Sequence, residues 1–311
     1  MRKACLLAVY ELARRDERVV FVGSDITKQN LEKFAAEFPN RFFMEGIYEA
    51  HIIGMSAGLA FNGKIPYINT IATFLTRRCY EQILIDLALH QLPVRLLGSG
   101  GGTVYAPLGP THLANEDIAI LRAIPNMTIV APCDADEMNR LMPQTLDWPG
   151  PLYVRIAKGG DKIVSADRHG FQIGKAILLR EGQEVLLIST GTTTQIAMEA
   201  AETLAGAGVA AAVLHVHTLK PLDTTRILAC AGQARVIITI EEHTLVGGLG
   251  SAVAETLLDA GASQGKQFAR LGFPDVFTEE LGSQNEIMRK YGLSAENLVA
   301  KAKQLLQRQP G

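Results

Sequence analysis

Short β-branched apolar runs alternate with stretches of helical apolar spacing along this chain, and this alternation constrains the fold more than any other feature. The apolar runs cover residues 19–22, 94–97 and 127–130, and the helical stretches cover residues 3–15, 30–37, 49–61 and 80–90. Strands that alternate with helices indicate βαβ units and a mostly parallel sheet that is covered on both faces.

The alternation stops at residues 157–170, a stretch rich in Gly, Lys and Asp that is typical of a linker. It then restarts, with strands predicted at 185–188, 209–216 and 235–240 and helices at 195–205, 250–260 and 294–307. The sequence therefore predicts an α/β protein of two three-layer α/β/α domains with mostly parallel sheets, at residues 1–160 and 170–311.

Composition and charge argue against several classes of protein. The chain has 311 residues and a formal net charge of −2, with no cluster of Lys and Arg, so nucleic acid is not expected as a partner. Its apolar stretches fall short of the ~20 residues that a membrane span needs, and its charged N-terminal helix lacks a signal-peptide core. The four cysteines lie far apart without a CxxC pair, which favours reduced thiols in a cytoplasmic protein over a metal site or disulfides.

Glycine-rich turns are frequent, but they do not form a nucleotide-binding motif. None has GxGxxG spacing followed by an acidic residue about 20 positions on, and no Walker sequence occurs. Most of these glycines are explained as strand-to-helix turns that need positive φ.

Glu49 is the strongest candidate for chemistry. Within residues 41–60, an apolar run of β character meets a turn, and Glu49 then opens a helix rich in small residues. Burial in an apolar pocket raises the pKa of a carboxyl group, which can then supply a proton. An acidic residue in a first turn also interacts favourably with the helix dipole, so the carboxylate alone leaves both roles open.

A series of short motifs resembles the transketolase family. The matching segments are residues 2–4, 23–25, 46–49, 58–60, 70–82, 109–112, 116–119, 122–125, 219–223 and 241–250. Each motif is weak alone, but their order and spacing together are specific. The resemblance covers nearly the whole chain and implies the pyrimidine-binding and C-terminal domains, which form the second half of a full-length enzyme.

The resemblance implies a site for thiamine diphosphate. Glu49 matches the residue that hydrogen-bonds N1′ of the cofactor's pyrimidine, and His112 matches a residue that faces the carbonyl and hydroxyl groups of the substrate. A neutral imidazole can donate to a developing alkoxide or relay a proton near neutral pH. Asp25 matches a position near the cofactor, although an acidic residue after a strand can also cap a helix.

Residues 70–82 imply further cofactor contacts. Ile71 stands where the family usually has an aromatic ring stacked on the pyrimidine, and a branched aliphatic side chain can cover that ring by dispersion alone. Phe74 is assigned to the cofactor site or the core, and Arg78 matches a family arginine that could pair with Glu81 or near Glu49.

The resemblance also implies a site for a substrate phosphate, but the match is incomplete there. Arg2 and Lys158 match positions that bind phosphate, and Arg155 could supplement them or be a solvated charge at a strand end. The family's serine, histidine and acidic residue are replaced by Gln29, Gly100 and Leu108. Phosphate recognition needs converging donors, so the sequence leaves open whether the substrate is phosphorylated.

Three further histidines carry a weaker signal. His243 could reach a domain interface, where a structural role is favoured. His215 and His217 alternate on a predicted strand, but a metal site would need further ligands, so they are interpreted as structural and no metal ligand is assigned.

One family motif is missing. The other half of the family binds the diphosphate through Mg²⁺ with a Gly-Asp-Gly motif, which does not occur here. The resemblance therefore implies a small subunit of a split transketolase. Its partner, an N-terminal-half subunit, would carry the diphosphate and magnesium site, in an assembly of two unlike pairs (α2β2).

The implied reaction is transfer of a two-carbon ketol unit from a ketose, a sugar or sugar phosphate, to an aldehyde. One alternative is an acyloin-forming or decarboxylating relative, such as a deoxyxylulose-phosphate synthase or the β subunit of a 2-oxo acid dehydrogenase. Another is a non-catalytic scaffold subunit, against which the presence of Glu49 and His112 argues.

Overall fold

A computed structural model of the chain describes residues 1–26 and 31–308. The strands, in chain order, are β1 Val19–Gly23, β2 Phe42–Met44, β3 Ile65–Ile71, β4 Arg95–Ser99, β5 Thr128–Val130, β6 Leu152–Ile156, β7 Ile177–Arg180, β8 Val185–Ser189, β9 Ala211–His215, β10 Thr218–Lys220, β11 Val236–Thr244 and β12 Gln267–Phe273. They form two sheets, of seven and five strands.

Most of the helices lie between strands in the order of the chain. They are α1 Arg2–Arg15, α2 Glu32–Glu37, α3 Glu49–Phe61, α4 Ala72–Thr76, α5 Tyr80–Gln82, α6 Asp117–Arg122, α7 Ala135–Thr145, α8 Thr193–Gly206, α9 Thr224–Gln233, α10 Leu249–Asp259, α11 Gln284–Lys290 and α12 Ala295–Leu306. None of those described combines the length and apolar character needed to cross a bilayer.

Both sheets are mostly parallel, which confirms the predicted fold class. The first has the order β10-β5-β6-β4-β3-β1-β2 and the second β12-β11-β8-β9-β7. Among the strands of the described residues, only two edge strands are antiparallel to a neighbour: β10 pairs with β5, and β7 pairs with β9. Because the strands are buried on both faces, their sequences are continuous apolar runs.

Three apolar clusters occupy the layers around the sheets. One joins α1 and α7 to the first sheet through residues such as Leu6 and Met138. A second covers the other face of that sheet with α3 and continues to the second sheet, including Ile52 and Ile188. The third packs α8 and α12 on the second sheet. The second cluster contacts both sheets, so a common apolar layer holds the two sheets together.

Most predicted elements match the structure, and the differences are local. Ser294 accepts a hydrogen bond from the Asn297 amide, as an N-cap residue does. The predicted helix at 80–90 is the short helix α5 followed by a π-helical segment at Ile83–Ala88. The predicted helix at 30–37 is α2, and Asn30 lies outside the described residues.

The strand β10 departs from the predicted division of the chain. It lies after the linker, in the region assigned to the second domain, but Thr218 pairs with Val130 of the first sheet. Strand pairing between distant segments depends on tertiary contacts, and these cannot be predicted from the sequence of a three-residue strand.

Buried polar contacts also join the two sheets. His215 on β9 pairs with Glu137 on α7 (Nε2 to Oε2, 2.9 Å), and the same carboxylate oxygen accepts from the Cys133 amide at 2.7 Å. The candidate ligand atoms of these three residues lie within 4.8 Å of one another, a grouping that could hold a metal ion. Burial, together with the nearby carboxylates of Glu137 and Asp134, raises the pKa of the Cys133 thiol well above its usual range, so the thiol is protonated in the metal-free protein.

His217 lies in the same interface and is fully buried. Its ring stacks on Phe171 with centroids 4.1 Å apart. Nδ1 contacts the Thr218 hydroxyl at 2.8 Å, whereas Nε2 has no partner in the described residues. Burial lowers the pKa of His217 from 6.5 to about 4, so the ring is neutral in the folded protein at neutral pH.

We expect this histidine to make the fold acid-sensitive. The unfolded chain takes up a proton near pH 6.5, but the folded chain does so only near pH 4. The stabilisation is therefore complete above pH 6.5 and is lost as the pH falls toward 4, a change of roughly 3 kcal/mol. Urea unfolding of His217→Phe at several pH values should give a flatter pH dependence than the unmodified chain. His90→Phe, at an exposed position, is the control and should leave that pH dependence unchanged. The same pH dependence in His217→Phe as in the unmodified chain would contradict this account.

Candidate active site

The predicted site residues converge on the carboxyl edge of the first sheet. Asp25 follows β1, Ile71 ends β3, and Lys158 follows β6. Arg2 begins α1, which leads back into β1. Ligands of open α/β sheets bind at this edge, because the strand ends and the helix N-termini meet there.

Glu49 is buried at the start of α3, with 2% of its surface exposed. Its Oε2 accepts a hydrogen bond from the Arg78 guanidinium at 2.5 Å. The two residues before it are exposed apolar side chains, with Ile47 at 62% and Tyr48 at 69%. The carboxyl group is thus buried and paired with Arg78 rather than in bulk solvent, and the exposed apolar side chains of Ile47 and Tyr48 precede it in the chain.

Four predicted residues form one continuous row. Beyond the Glu49 contact, the Arg78 guanidinium lies 4.4 Å from the centre of the Phe74 ring. That ring meets His112 edge to face, with centroids 5.1 Å apart. His112 Nδ1 contacts the neighbouring Thr111 hydroxyl at 2.9 Å. The row places an acid, a cation, an apolar ring and an imidazole side by side.

Asp25 and Ile71 lie at neighbouring strand ends. The Ser24 hydroxyl contacts the Asp25 carboxylate at 3.1 Å and the Thr70 hydroxyl at 2.9 Å. This chain of contacts ties the end of β1 to the end of β3, where Ile71 is half-buried. Asp25 itself is exposed. Gln29, which stands where the family has a serine, lies outside the described residues.

Arg2 and Lys158 line one small cavity of about 250 Å³. The Arg2 guanidinium donates to the Tyr105 hydroxyl at 3.1 Å. Gly100 and Leu108, two positions where the chain departs from the family pattern, line the same cavity. Tyr105 is not among the predicted site residues, and its only signal in the sequence is the departure from the family pattern at Gly100, five residues earlier.

Arg155 has a different role from the predicted one. It is 7% exposed, and its Nε donates to Asp117 at 2.8 Å. Its Nη2 donates to two backbone carbonyls, of Ala114 and Glu242, each at 2.9 Å. Burial alone lowers the pKa of Arg155, but Asp117 and Glu242 outweigh it and raise that pKa above the usual range. The guanidinium therefore stays charged, and it serves the domain interface instead of substrate.

The second domain also fixes the loop that carries Tyr105 and His112. Glu242 Oε1 accepts from both the amide and the hydroxyl of Thr103, each at 2.7 Å. Gly102 has φ +71°, and an added Cβ would lie 2.5 Å from the Glu242 carboxylate, so only glycine allows this approach. The loop closes where Gly102 and Ala114 exchange backbone hydrogen bonds.

His243 reaches this interface as well. It is fully buried, and its Nε2 accepts from the Ala119 amide at 3.2 Å. Burial lowers the pKa of His243 to about 4, which keeps the ring neutral and able to accept. This arrangement matches a structural position between the domains and leaves no ring nitrogen for substrate.

Known proteins share both the fold and the order of these elements. The model of the transketolase pyrimidine-binding domain matches residues 1–160, and the model of the transketolase C-terminal domain matches residues 174–298. The chain belongs to the transketolase family. Enzymes of this family generally use thiamine diphosphate.

Two relatives and one solved structure resemble the chain over nearly its whole length. The 6-deoxy-6-sulfo-D-fructose transketolase subunit of Clostridium sp. (strain MSTE9) is 36% identical, over 96% of this chain and 92% of its own. One of the subunits of the apulose-4-phosphate transketolase of Phocaeicola vulgatus is 38% identical, over 97% and 96%. A split-gene transketolase, solved as an inactive β4 tetramer, is 33% identical with a TM-score of 0.88, over 99% and 98%.

The structural role of Arg155 predicts the result of its removal. Arg155→Leu leaves the Asp117 carboxylate buried without its partner, which should lower the free energy of unfolding by about 3–5 kcal/mol. Urea denaturation measures this change. Replacing Asp117 by Leu as well should recover part of the loss, because no uncompensated charge remains. Arg168→Leu, at an exposed position, is the control and should change the free energy of unfolding little. An equally small change in Arg155→Leu would refute the assignment.

Proposed function

We propose that this chain is a subunit of a thiamine diphosphate-dependent transketolase that transfers a two-carbon ketol unit from a ketose to an aldehyde. The observation that carries the proposal is the buried Glu49 at one end of the row that runs through Arg78 and Phe74 to His112. A buried acid in one row with an apolar ring fits an aminopyrimidine, which offers a ring nitrogen to the acid and a flat face to apolar side chains.

The residues of the row then have separate tasks. Thiamine diphosphate, when bound, supplies the electron sink for breaking the bond next to the ketose carbonyl. Glu49 would hold a proton at the pyrimidine nitrogen. Arg78, whose side chain is 45% exposed, can release that carboxyl group without being buried as an unpaired charge. Phe74 would exclude water, and His112 would donate to oxygen atoms where negative charge develops.

The same proposal includes a partner chain. The sequence has no Gly-Asp-Gly motif, so the partner would bind the diphosphate and Mg²⁺ and complete the cofactor site. The inactivity of the solved β4 tetramer of a split-gene transketolase supports this division of labour. We expect two pairs of unlike subunits, and a cytoplasmic location for the assembly.

The substrate class follows from the anion cavity and from the relatives. The names of the two relatives contain a sulfo sugar and a sugar phosphate, each of which bears an anionic group. Arg2 and Lys158 provide two cations at the carboxyl edge of the sheet for such a group. We therefore propose a sugar with an anionic terminus as donor or acceptor.

Replacement of Glu49 tests the catalytic role. In the chain reconstituted with its partner, Glu49→Gln should lower ketol transfer from xylulose 5-phosphate to an aldehyde at least a hundredfold, since acid–base groups contribute about 10²–10⁴-fold. Glu296→Gln, which also changes a first-turn carboxylate but an exposed one, is the control.

The outcomes of that assay separate the alternatives. Full activity in Glu49→Gln would favour a scaffold subunit. Release of carbon dioxide from pyruvate by the unmodified pair, without ketol transfer, would favour an acyloin-forming or decarboxylating relative.

The surface of α3 supports assembly close to Glu49. His51, Gly54, Gly58 and Phe61 lie on one exposed stripe of the helix. A Cβ added at either glycine would meet nothing within 4 Å among the described atoms, so another helix can approach closely there. Phe61 is 63% exposed, which is costly for an isolated surface and suits a covered one.

A charge placed on this stripe should weaken assembly. We expect Phe61→Glu to shift the reconstituted complex toward separate subunits in mass photometry, because a carboxylate would be buried in the contact. Leu258→Glu introduces the same charge at a 67% exposed apolar position on α10 and should leave the mass distribution unchanged. Equal assembly by both variants would show that α3 faces solvent in the complex.

A further inference from the structure

The cavity that holds Arg2 and Lys158 has an unusual third polar member. Its described lining contains these two cations and no carboxylate, with apolar walls from Val104, Pro107 and others. Tyr105 contributes a side-chain hydroxyl to this lining. A small cavity with two cations and one hydroxyl suits a compact anion with several acceptor oxygens.

Tyr105 fills the space that a side chain at position 100 would need. Gly100 has φ +80°, a conformation that L side chains rarely adopt. A Cβ built there would lie 2.2 Å from Cε2 and 2.5 Å from Cδ2 of the Tyr105 ring. Gly100 and Tyr105 are therefore one combined feature, because a larger residue at 100 would displace the ring from the cavity wall.

The Tyr105 hydroxyl also orients Arg2. It accepts one hydrogen bond from the Arg2 guanidinium at 3.1 Å, and its own proton has no acceptor among the described residues. That contact reduces the freedom of a long side chain at the helix start, and ordering such a chain in advance lowers the cost of binding. The unused hydroxyl proton can be donated to the same anion that Arg2 binds.

We propose that Tyr105 is a specificity-determining residue that adapts this cavity to a tetrahedral oxyanion, a phosphate or a sulfonate, on the terminal carbon of a sugar. The assignment to a sugar rests on the proposed transketolase function, whereas the preference for the anion rests on the cavity. Tyr105 orients Arg2, donates its proton to the anion and limits the depth of the cavity.

Two acceptors that differ only in the phosphate test the effect on turnover. With the reconstituted pair and one common donor, Tyr105→Phe should lower kcat/KM about tenfold for glyceraldehyde 3-phosphate, mainly through KM, and leave it unchanged for glyceraldehyde. Tyr10→Phe removes a hydroxyl that bonds Glu37 on the surface and is the control. Equal losses for both acceptors, or none, would overturn the proposal.

A binding readout keeps the test independent of catalysis. In the chain labelled with 3-fluorotyrosine, the ¹⁹F resonance missing from Tyr105→Phe identifies Tyr105 among the seven tyrosines. Inorganic phosphate and methanesulfonate are titrated separately, with chloride at equal ionic strength. A saturable shift of that resonance with phosphate, methanesulfonate or both supports the proposal and tells the two oxyanions apart. A resonance that responds to neither, in a protein of unchanged circular dichroism, refutes it even if the pair shows no transketolase activity.

Discussion

The buried pair of Arg155 and Asp117 is the interaction on which the site geometry depends. Through Arg155 it ties the carbonyl of Ala114 in the first domain to the carbonyl of Glu242 in the second. Glu242 in turn holds Thr103, at the other end of the same loop. The loop that carries Tyr105 and His112 is thus fixed at both ends by the interface. Charges taken out of water are costly unless good geometry and further hydrogen bonds compensate them. Here the Tyr153 hydroxyl also donates to Asp117 Oδ2 at 2.7 Å, whereas Oδ1 has no hydrogen-bond partner among the described residues.

In the isolated chain, Arg78 is the partner of the buried acid Glu49. A carboxylate at 2% exposure needs compensation, and Arg78 supplies it at 2.5 Å while its own side chain keeps much of its contact with solvent. Such a pair costs little to separate when another group arrives that can satisfy the acid, because the arginine returns to water. Arg78 therefore compensates the Glu49 carboxylate in the isolated chain and can be replaced by another group at little cost.

Local sequence patterns were sufficient for the fold class and for several of its helices and strands. Helix α3 begins at Glu49 as predicted, and Ser294 caps α12, because apolar spacing and capping chemistry are encoded within a few residues. The family resemblance includes both Arg2 and Lys158, which line one cavity although they are 156 positions apart in the sequence. The roles of Arg155 and Tyr105 could not be predicted, since each depends on partners that only tertiary packing brings near: Glu242 for the first and the open side of Gly100 for the second.

The passage of β10 into the first sheet limits how this fold can be divided. A fragment that stopped at the linker would lack the strand that covers one side of β5, and its backbone donors and acceptors would face water. Bare sheet borders of this kind recruit other chains by strand addition and lead to aggregation. A stand-alone version of the first domain would therefore need residues 218–220, or a substitute that blocks the same border, to remain monomeric.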